Sequence, residues 1–513
     1  MNQYWGVDAD PTAQGRIKGA RPVAVLDIGS NSVRLVVYER HARSLTPLYN
    51  EKTACALGRG LAQTGKIAYE NIDRALTAIQ RFALVSKLMR VGTTHILATS
   101  AVREASNSKA FVNAVEEIMG AKVTVLSGAE EAHFAALGAI SGMPAFDGIV
   151  GDLGGGSLEL SSISAGADST GETHELGVIR LQDDSQASPS KAAGLAKRRL
   201  KKSQLLDGKG GGSFCAIGGT WRSLAKIHQV LRNYPLHMVQ HYEVGAADML
   251  ELCEQIIEAT SSSKSYPGSE LASSSRRDLV PYGAAVLAEL LKAGKFSTVV
   301  FSALGVREGY LFGLLDADER AIDPLMQQAE DVNVLRSRSP QHADDLVEFS
   351  RGVLGTLGIK ESAEEERLRR AACYLADIGW RGHPDYRGEQ AVDMVAYGAA
   401  TGIDHPGRAF LAEVLAVRYM GLKQKSISAD VLALSGAALS ARARLLGAIF
   451  RVGYPMSAAM PGILPRVRFE LDGAILKLVL PEDLAFLDGE HLRGRLDQLA
   501  GVAGFKLTDI VAR

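Results

Sequence analysis

The sequence predicts a mixed α/β protein of two related lobes followed by a helical domain and a small terminal α/β piece. Three observations carry that reading. Two short apolar strands, each ending in a Gly/Ser turn and returning as a second strand, recur with 125 residues between Asp27 and Asp152. Strand and helix patterns alternate between and after them, which implies a sheet with helices packed on it. Near Asp316 the alternation stops and Leu and Ala take up three- and four-residue spacing.

The first hairpin is Val23 to Ile28, a polar turn and Val33 to Tyr38. The second is Ile149 to Leu153, Gly154 to Ser157, and Leu158 to Ile163. Aligning Asp27 on Asp152 places Gly29 on Gly154 and Ser32 on Ser157, so a domain-sized internal duplication is expected. Between the hairpins, Ile72, Leu76, Ile79, Leu84 and Leu88 mark a helix, and His95–Thr99 reads as a strand. Ala110–Met119 reads as a helix, Val123–Leu126 as a strand and Glu130–Ile140 as a helix opened by Ser127-Gly128. Cys215–Gly219, a helix from Thr220, a helix around Met249–Thr260, a strand Thr298–Ser302 and a helix from Gly305 continue the alternation. At the end, Asp472-Gly473 joins two strands in a dipeptide favoured by tight turns; a helix from His491 and a last strand from Lys506 follow. The expected domains are an N-terminal arm (1–21), lobe I (22–146), lobe II (147–318), a helical domain (319–460) and the terminal piece (461–513).

A chain of 513 residues, 46% hydrophobic and 22% charged, has an ordinary globular composition and is too long for one core. Its net charge of −1 gives no overall positive field, so nucleic acid is not the expected partner, and a polyanion would need local basic patches. Cys55, Cys215, Cys253 and Cys373 are far apart and fit neither a zinc motif nor a disulfide framework, which suits a reducing cytoplasm. No secretory h-region and no membrane-length apolar stretch is read from the chain.

The chemistry concentrates in the two turns. Gly, Ser and Asn let successive backbone N–H groups curl around a phosphate, and their hydroxyls and amide add donors. Ser30, Asn31 and Ser32, with Gly154, Gly155, Gly156 and Ser157, are therefore candidate phosphate contacts; a plain hairpin turn is the alternative for either taken alone. An Asp precedes each turn. A carboxylate beside a phosphate calls for an intervening cation, most simply Mg²⁺, so Asp27, Asp152 and Glu159 are candidate metal ligands. Turn-capping is the other role open to such an Asp.

The motifs together resemble the exopolyphosphatase / guanosine pentaphosphate phosphohydrolase (Ppx/GppA) family. They are Ala24–Ser32, Ala98-Thr99-Ser100-Ala101-Val102-Arg103, Leu126–Ala132, Asp152–Leu160, Ile217-Gly218-Gly219-Thr220 and Gly305–Gly309, in the family's order. The resemblance implies two actin-like, sugar-kinase-like (ribonuclease H-like) lobes with substrate in the cleft between them. It implies removal of terminal phosphate from inorganic polyphosphate, or from guanosine pentaphosphate, with Mg²⁺. It maps the catalytic glutamate to Glu131, the phosphate-gripping arginine to Arg103, and the metal- and water-positioning carboxylates to Asp152 and Glu159. Gly219 joins the phosphate contacts. The chemistry is compatible: a carboxylate can orient and deprotonate the attacking water, and an arginine offers a fork of donors to a phosphate. Spacing alone reads Glu130-Glu131 as first-turn charge favoured by the helix dipole; the resemblance prefers Glu131.

It also implies an HD-like helical domain, here degenerate. The His-Asp metal pair would fall on Ala376-Asp377, while His383, Asp385, Asp404 and His405 have no recognised ligand spacing. A homodimer is expected from the resemblance alone. Ser302-Ala303 stands where many relatives carry an aspartate. The cleft motifs leave polyphosphate and guanosine pentaphosphate open, with a kinase or a non-hydrolytic actin-like nucleotide-binding protein as more distant readings. Lys197, Arg198 and Lys201 belong to the densest basic run, a landing surface for distal phosphates or simply a solvated helix face, and Arg276-Arg277 is a weaker candidate of the same kind. If the run binds polymer, neutralising Lys201 and Lys202 raises KM for long chains more than for short ones; an equal effect on both marks a solvated face.

Overall fold

The structure, a computed structural model, describes residues 17–169, 171–206, 211–262, 264–423, 427 and 429–513. Most of the expected arm, 1–21, lies outside these residues. The chain divides into two compact units, one running from Ala20 to Ile322 and the other containing Asp323–Arg513.

The first unit holds two sheets. In one, β1 (Val23–Ile28), β2 (Ser32–Tyr38), β3 (Pro47–Ala54), β4 (Thr93–Ala98) and β5 (Val123–Val125) lie in the order β3-β2-β1-β4-β5. β1 is antiparallel to β2 and parallel to β4. It is almost entirely buried because helices cover both of its faces, as a near-continuous apolar run requires. On one face Phe82 of helix Tyr69–Leu88 and Phe111 of helix Ser108–Met119 join Leu26, Ile28 and Leu35 in a core.

The second sheet contains β6 (Gly148–Leu153), β7 (Leu158–Ser164), β8 (Ala167–Asp168), β9 (Glu172–His174), β10 (Ser213–Ile217), β11 (Tyr242–Gly245) and β12 (Thr298–Phe301). The order is β11-β12-β10-β6-β7-β8, with β9 also on β7. Its outer face is covered by helices Gly219–Leu231, Ala246–Ser261 and Val280–Gly294. The last is nearly all buried around Val286, Leu287 and Leu290. That helix, the edge strand β3 and helix Pro189–Leu200 have no counterpart in the sequence expectations. An apolar helix buried on every side loses the one-sided periodicity that marks a surface helix. This pair of sheets, each wrapped in helices, is the actin-like α/β architecture.

Two helices lie between the sheets and serve both. In helix Gly128–Gly142, Ala135, Ala136 and Ala139 pack with Val150, Cys215 and Ile217 of the second sheet. In helix Val306–Leu314, Leu311 packs with Val25, Val36 and Leu97 of the first sheet, while Phe312 joins the second core. The two helices touch through glycines. A Cβ on Gly138 would run into the Gly305 backbone, and one on Gly309 into the Phe134 carbonyl. This contact sets where Glu131 stands relative to both turns.

The second unit is helical from Pro324 to Ser457 and ends in β13 (Arg468–Asp472), β14 (Ile475–Leu480) and β15 (Leu507–Ala512). β13 and β14 form the expected hairpin about Asp472-Gly473, with Gly473 at φ 58°, where glycine is favoured. All four cysteines are buried and unbridged. Among the described residues no helix is long and apolar enough to cross a membrane.

Because Gly309 has no room for a methyl group, Gly309→Ala is expected to destabilise the first unit by about 1–3 kcal/mol. Chemical denaturation followed by tryptophan fluorescence reads the effect, and an unchanged midpoint contradicts the close helix crossing.

Candidate active site in the cleft of the first unit

The two turns are geometric copies. Gly29 N–H donates to the Ser32 carbonyl at 3.0 Å, and Gly154 N–H donates to the Ser157 carbonyl at 3.0 Å. Cross-strand partners repeat as well: Asp27 faces Arg34, and Asp152 faces Glu159. The duplication thus places a cation in one hairpin where the other carries a carboxylate. Cross-strand partners stand side by side on one sheet face, so each turn presents a two-residue set. One is suited to phosphate and the other to a cation.

A cavity of about 190 Å³ runs between the turns. Asp27, Ser30, Asn31, Ser32, Glu131, Asp152, Gly154, Gly155, Ser157, Glu159 and Gly219, all expected from the sequence, line it. Gly156 lines a smaller neighbouring cavity. Arg103 lines neither; its guanidinium is bound to Glu131 and donates to the Leu126 carbonyl at 2.5 Å. Lys197, Arg198 and Lys201 are exposed and do not line the cleft either. Arg199, in the same run, bonds to Asp184 and the Glu175 carbonyl.

Glu130 and Glu131 are set apart by the local structure. Ser127 caps the helix: its hydroxyl accepts from Glu130 N–H at 3.2 Å, while Glu130 Oε2 accepts from Ser127 N–H at 2.8 Å. Glu130 is thereby occupied at the surface. Glu131, the next residue, turns inward and is 6% exposed. Burial raises its carboxyl above the usual range, opposed by Arg103 and reinforced by Asp152 and Asp27. Burial also raises Glu159, with Glu131 adding repulsion. Asp152 is pushed up to about 6 by burial, against the pull of Arg222.

Sequence reasoning missed most of the cleft's cations. Arg34, Lys52, Arg222 and Arg307 line it, with Arg276, which had been only a weak candidate. Lys52 is the cross-strand neighbour of Arg34. Lys52 is exposed, yet desolvation at the cleft and the nearby Arg276, Arg34 and Arg222 lower it to about 8. Arg276 lies against Gly219, where a Cβ would come within 2.5 Å of its Nη2. Arg222 donates to the carbonyls of Ala303 at 3.0 Å and Gly218 at 3.3 Å. One signal was available: the 125-residue offset that pairs Asp27 with Asp152 also pairs Arg34 with Glu159.

Arg307 reaches across to the first hairpin. Its Nη1 donates to Asp27 Oδ2 at 2.9 Å, and its Nη2 to Glu308 Oε1 at 3.4 Å. Glu308 also accepts from the Tyr38 hydroxyl at 2.7 Å and from Gly305 N–H at 3.0 Å. Burial works against the Glu308 charge, but Arg307 and these bonds hold its carboxyl below the usual range. Asp27 is thus ion-paired.

Glu159 Oε1 is buried without a hydrogen-bond partner, while Ser157 bonds to the carboxyl. A buried orphan carboxylate oxygen beside Asp152 fits a hard cation. Among the described residues no three His, Cys, Asp or Glu side chains form a set that could hold a metal. A cation here would therefore take its other oxygens from water and phosphate, as Mg²⁺ commonly does.

In the second unit, Asp377, at the expected HD position, is clamped by Arg338. Nε donates to Oδ2 at 2.9 Å and Nη2 to Oδ1 at 2.7 Å. Asp404 caps a helix through Gly407 N–H at 2.8 Å, and His383 and Asp385 are exposed. A guanidinium thus satisfies the Asp377 carboxylate.

Comparison with known proteins follows these motifs. Residues 36–318 match the Ppx/GppA phosphatase family, and residues 325–510 match the family described as exopolyphosphatase, C-terminal. The chain belongs to the Ppx/GppA phosphatase family. Exopolyphosphatase 2 of Mycobacterium tuberculosis is 28% identical over 302 residues, covering 53% of this chain and 90% of that protein. Retrograde regulation protein 2 of Saccharomyces cerevisiae is 25% identical over 460 residues, 80% of this chain and 75% of its own. The solved exopolyphosphatase from Cytophaga hutchinsonii has a TM-score of 0.49 and 23% identity, over 57% of this chain and 99% of its own.

The Asp152 shift gives a test in metal-free buffer. With a folded value of about 6 against an ordinary 3.8, its contribution is fully present below about pH 4 and lost as pH rises through 6. Asp152→Asn removes that loss. Denaturant midpoints should show the variant gaining of order 2 kcal/mol on the wild type between about pH 4 and pH 7. A pH-independent difference contradicts the burial of this charge.

Proposed function

We propose that this chain is an exopolyphosphatase that hydrolyses the terminal phosphoanhydride bond of inorganic polyphosphate. The observation that carries the reading is Glu131, a buried carboxylate with a raised pKa, standing in one cavity with both phosphate-cradling turns.

In this reading the N–H groups and hydroxyls of the two turns hold the terminal phosphoryl group, and Glu131 orients a water in line with the bond to be broken. The water oxygen bonds to the terminal phosphorus as the bridging P–O bond breaks. The water's proton passes to Glu131, and the shortened chain leaves with the former bridging oxygen. Arg103 holds Glu131 in place and favours its charged form. Asp152 and Glu159 would hold Mg²⁺, which supplies neutralisation of charge on the reacting phosphate. Arg34, Lys52, Arg222 and Arg276 offer their charge to the phosphates that follow along the chain. The lining of charged groups, hydroxyls, backbone and small aliphatic side chains matches successive phosphates better than a guanine ring. Guanosine pentaphosphate is the competing substrate of the same site.

Polyphosphate and guanosine pentaphosphate are to be compared with Mg²⁺ and with chelator. Polyphosphate is expected to give the higher kcat/KM, and a clear preference for guanosine pentaphosphate overturns the assignment. Glu131→Gln should lower kcat by about 10²–10⁴, with KM little changed. The acid limb of the wild-type profile should sit above the usual glutamate range, because Glu131 must lose its proton to act. Full activity in Glu131→Gln excludes the base role, and turnover unaffected by chelation excludes the metal.

A further inference from the structure

Two cavities meet at the tips of the paired turns. The main cleft and a void of about 20 Å³ share Ser30, Ser100 and Gly155 as lining. The void is also lined by Ala62, which is exposed, and by Glu104, Arg180 and Asp183. The barrier between the two spaces is thin. Ser30 and Ser100 are joined by an Oγ–Oγ hydrogen bond of 2.8 Å. Glycines complete the wall. A Cβ on Gly155 would fall 2.9 Å from Ser30 Cβ, and one on Gly156 2.6 Å from Ser100 Oγ.

Outside the barrier, Arg180 of the second hairpin's lobe is ion-paired to Glu104 of the first. It also holds Glu175 at 3.0 Å. A void of this size admits one water but no phosphate, so the passage is shut here.

We propose that it is the exit for product orthophosphate. The inference rests on the exopolyphosphatase reading. After cleavage the remaining chain still fills the basic side of the cleft, while orthophosphate sits among the turn tips. Leaving by the cleft mouth would require the polymer to dissociate first. The rear passage removes that requirement. Ser30 and Ser100 can exchange their mutual bond for bonds to phosphate oxygens, since each hydroxyl both donates and accepts. Arg180 can exchange Glu104 for the departing anion while Glu175 keeps it in place.

The test uses the full chain with long polyphosphate and Mg²⁺. Orthophosphate formed is counted by acid quench, and orthophosphate released by a fluorescent phosphate-binding protein. Ala62→Trp, an exposed position, should obstruct the opening. Its first-turnover cleavage stays at the wild-type rate, free phosphate lags behind, and kcat falls about fivefold or more as release becomes limiting. Glu104→Gln loosens the opening, and free phosphate should appear no later than in the wild type. An Ala62→Trp enzyme without a lag, or one whose cleavage and release slow together, overturns the exit while leaving the hydrolase reading standing. Slower release in Glu104→Gln also overturns it. No turnover by the wild-type chain overturns both.

Discussion

Carboxylates do not gather in a half-buried cleft unless cations from elsewhere in the chain offset their repulsion and lost hydration. Here Asp27, Glu131, Asp152, Glu159 and Glu308 line one cavity. Arg307 takes Asp27 and Glu308, and Arg103 takes Glu131. These contacts link residues far apart in sequence, so the charge arrangement and the approach of the two hairpins are one problem. Asp152 and Glu159 are left with the least compensation. Their carboxyls are raised, and one Glu159 oxygen is unpaired, which is what supports the proposed cation there.

The internal duplication explains how such a site arises from a simple plan. Both hairpins have the same turn closure and the same Asp before the turn. The charge of the residue facing that Asp differs between them, Arg34 in one and Glu159 in the other. A symmetric pair of phosphate cradles would hold an anion without activating anything. The exchanged charge at that position gives one wall a cation, Arg34, and the other a second carboxylate, Glu159, and on the proposed reading that fits them to phosphate and to metal respectively. The two crossing helices then supply the remaining groups. Helix Gly128–Gly142 brings Glu131 and helix Val306–Leu314 brings Arg307. Glycine contacts at Gly138 and Gly309 hold them close enough for both to reach the cavity.

The same electrostatics separates the two units. In the first, Glu159 Oε1 is left without a hydrogen-bond partner beside Asp152 in the cleft. In the second, Asp377 is saturated by Arg338 with two-point geometry, and Arg418 stands 3.5 Å from it. A guanidinium satisfies the carboxylate where a catalytic HD centre would need it free for a metal.

Strand–turn–strand signals, the duplication and the order of the motifs were legible in the sequence because they depend on local residue types. Asp27, Asp152, Glu159 and the turn residues follow from those types and Gly219 from the resemblance, and all but Gly156 line the cleft. Glu131 could not be separated from Glu130 by spacing, because the decision lies in a capping box that occupies one and turns the other inward. Lys197, Arg198 and Lys201 were prominent by density, yet their helix directs them to the surface, away from the cavity. Arg34, Lys52 and Arg222 stand in the sequence without a local signal, and Arg307 lies in a motif that does not say what it faces. Sheet register and helix crossing, rather than chain proximity, gather them around one space. Arg103 was read as a phosphate contact, and only the folded geometry places it on Glu131. The local pattern thus determined which chemistry the chain carries, and the tertiary structure decided which charges face each other, because Coulomb interaction and desolvation depend on distance and burial rather than on sequence separation.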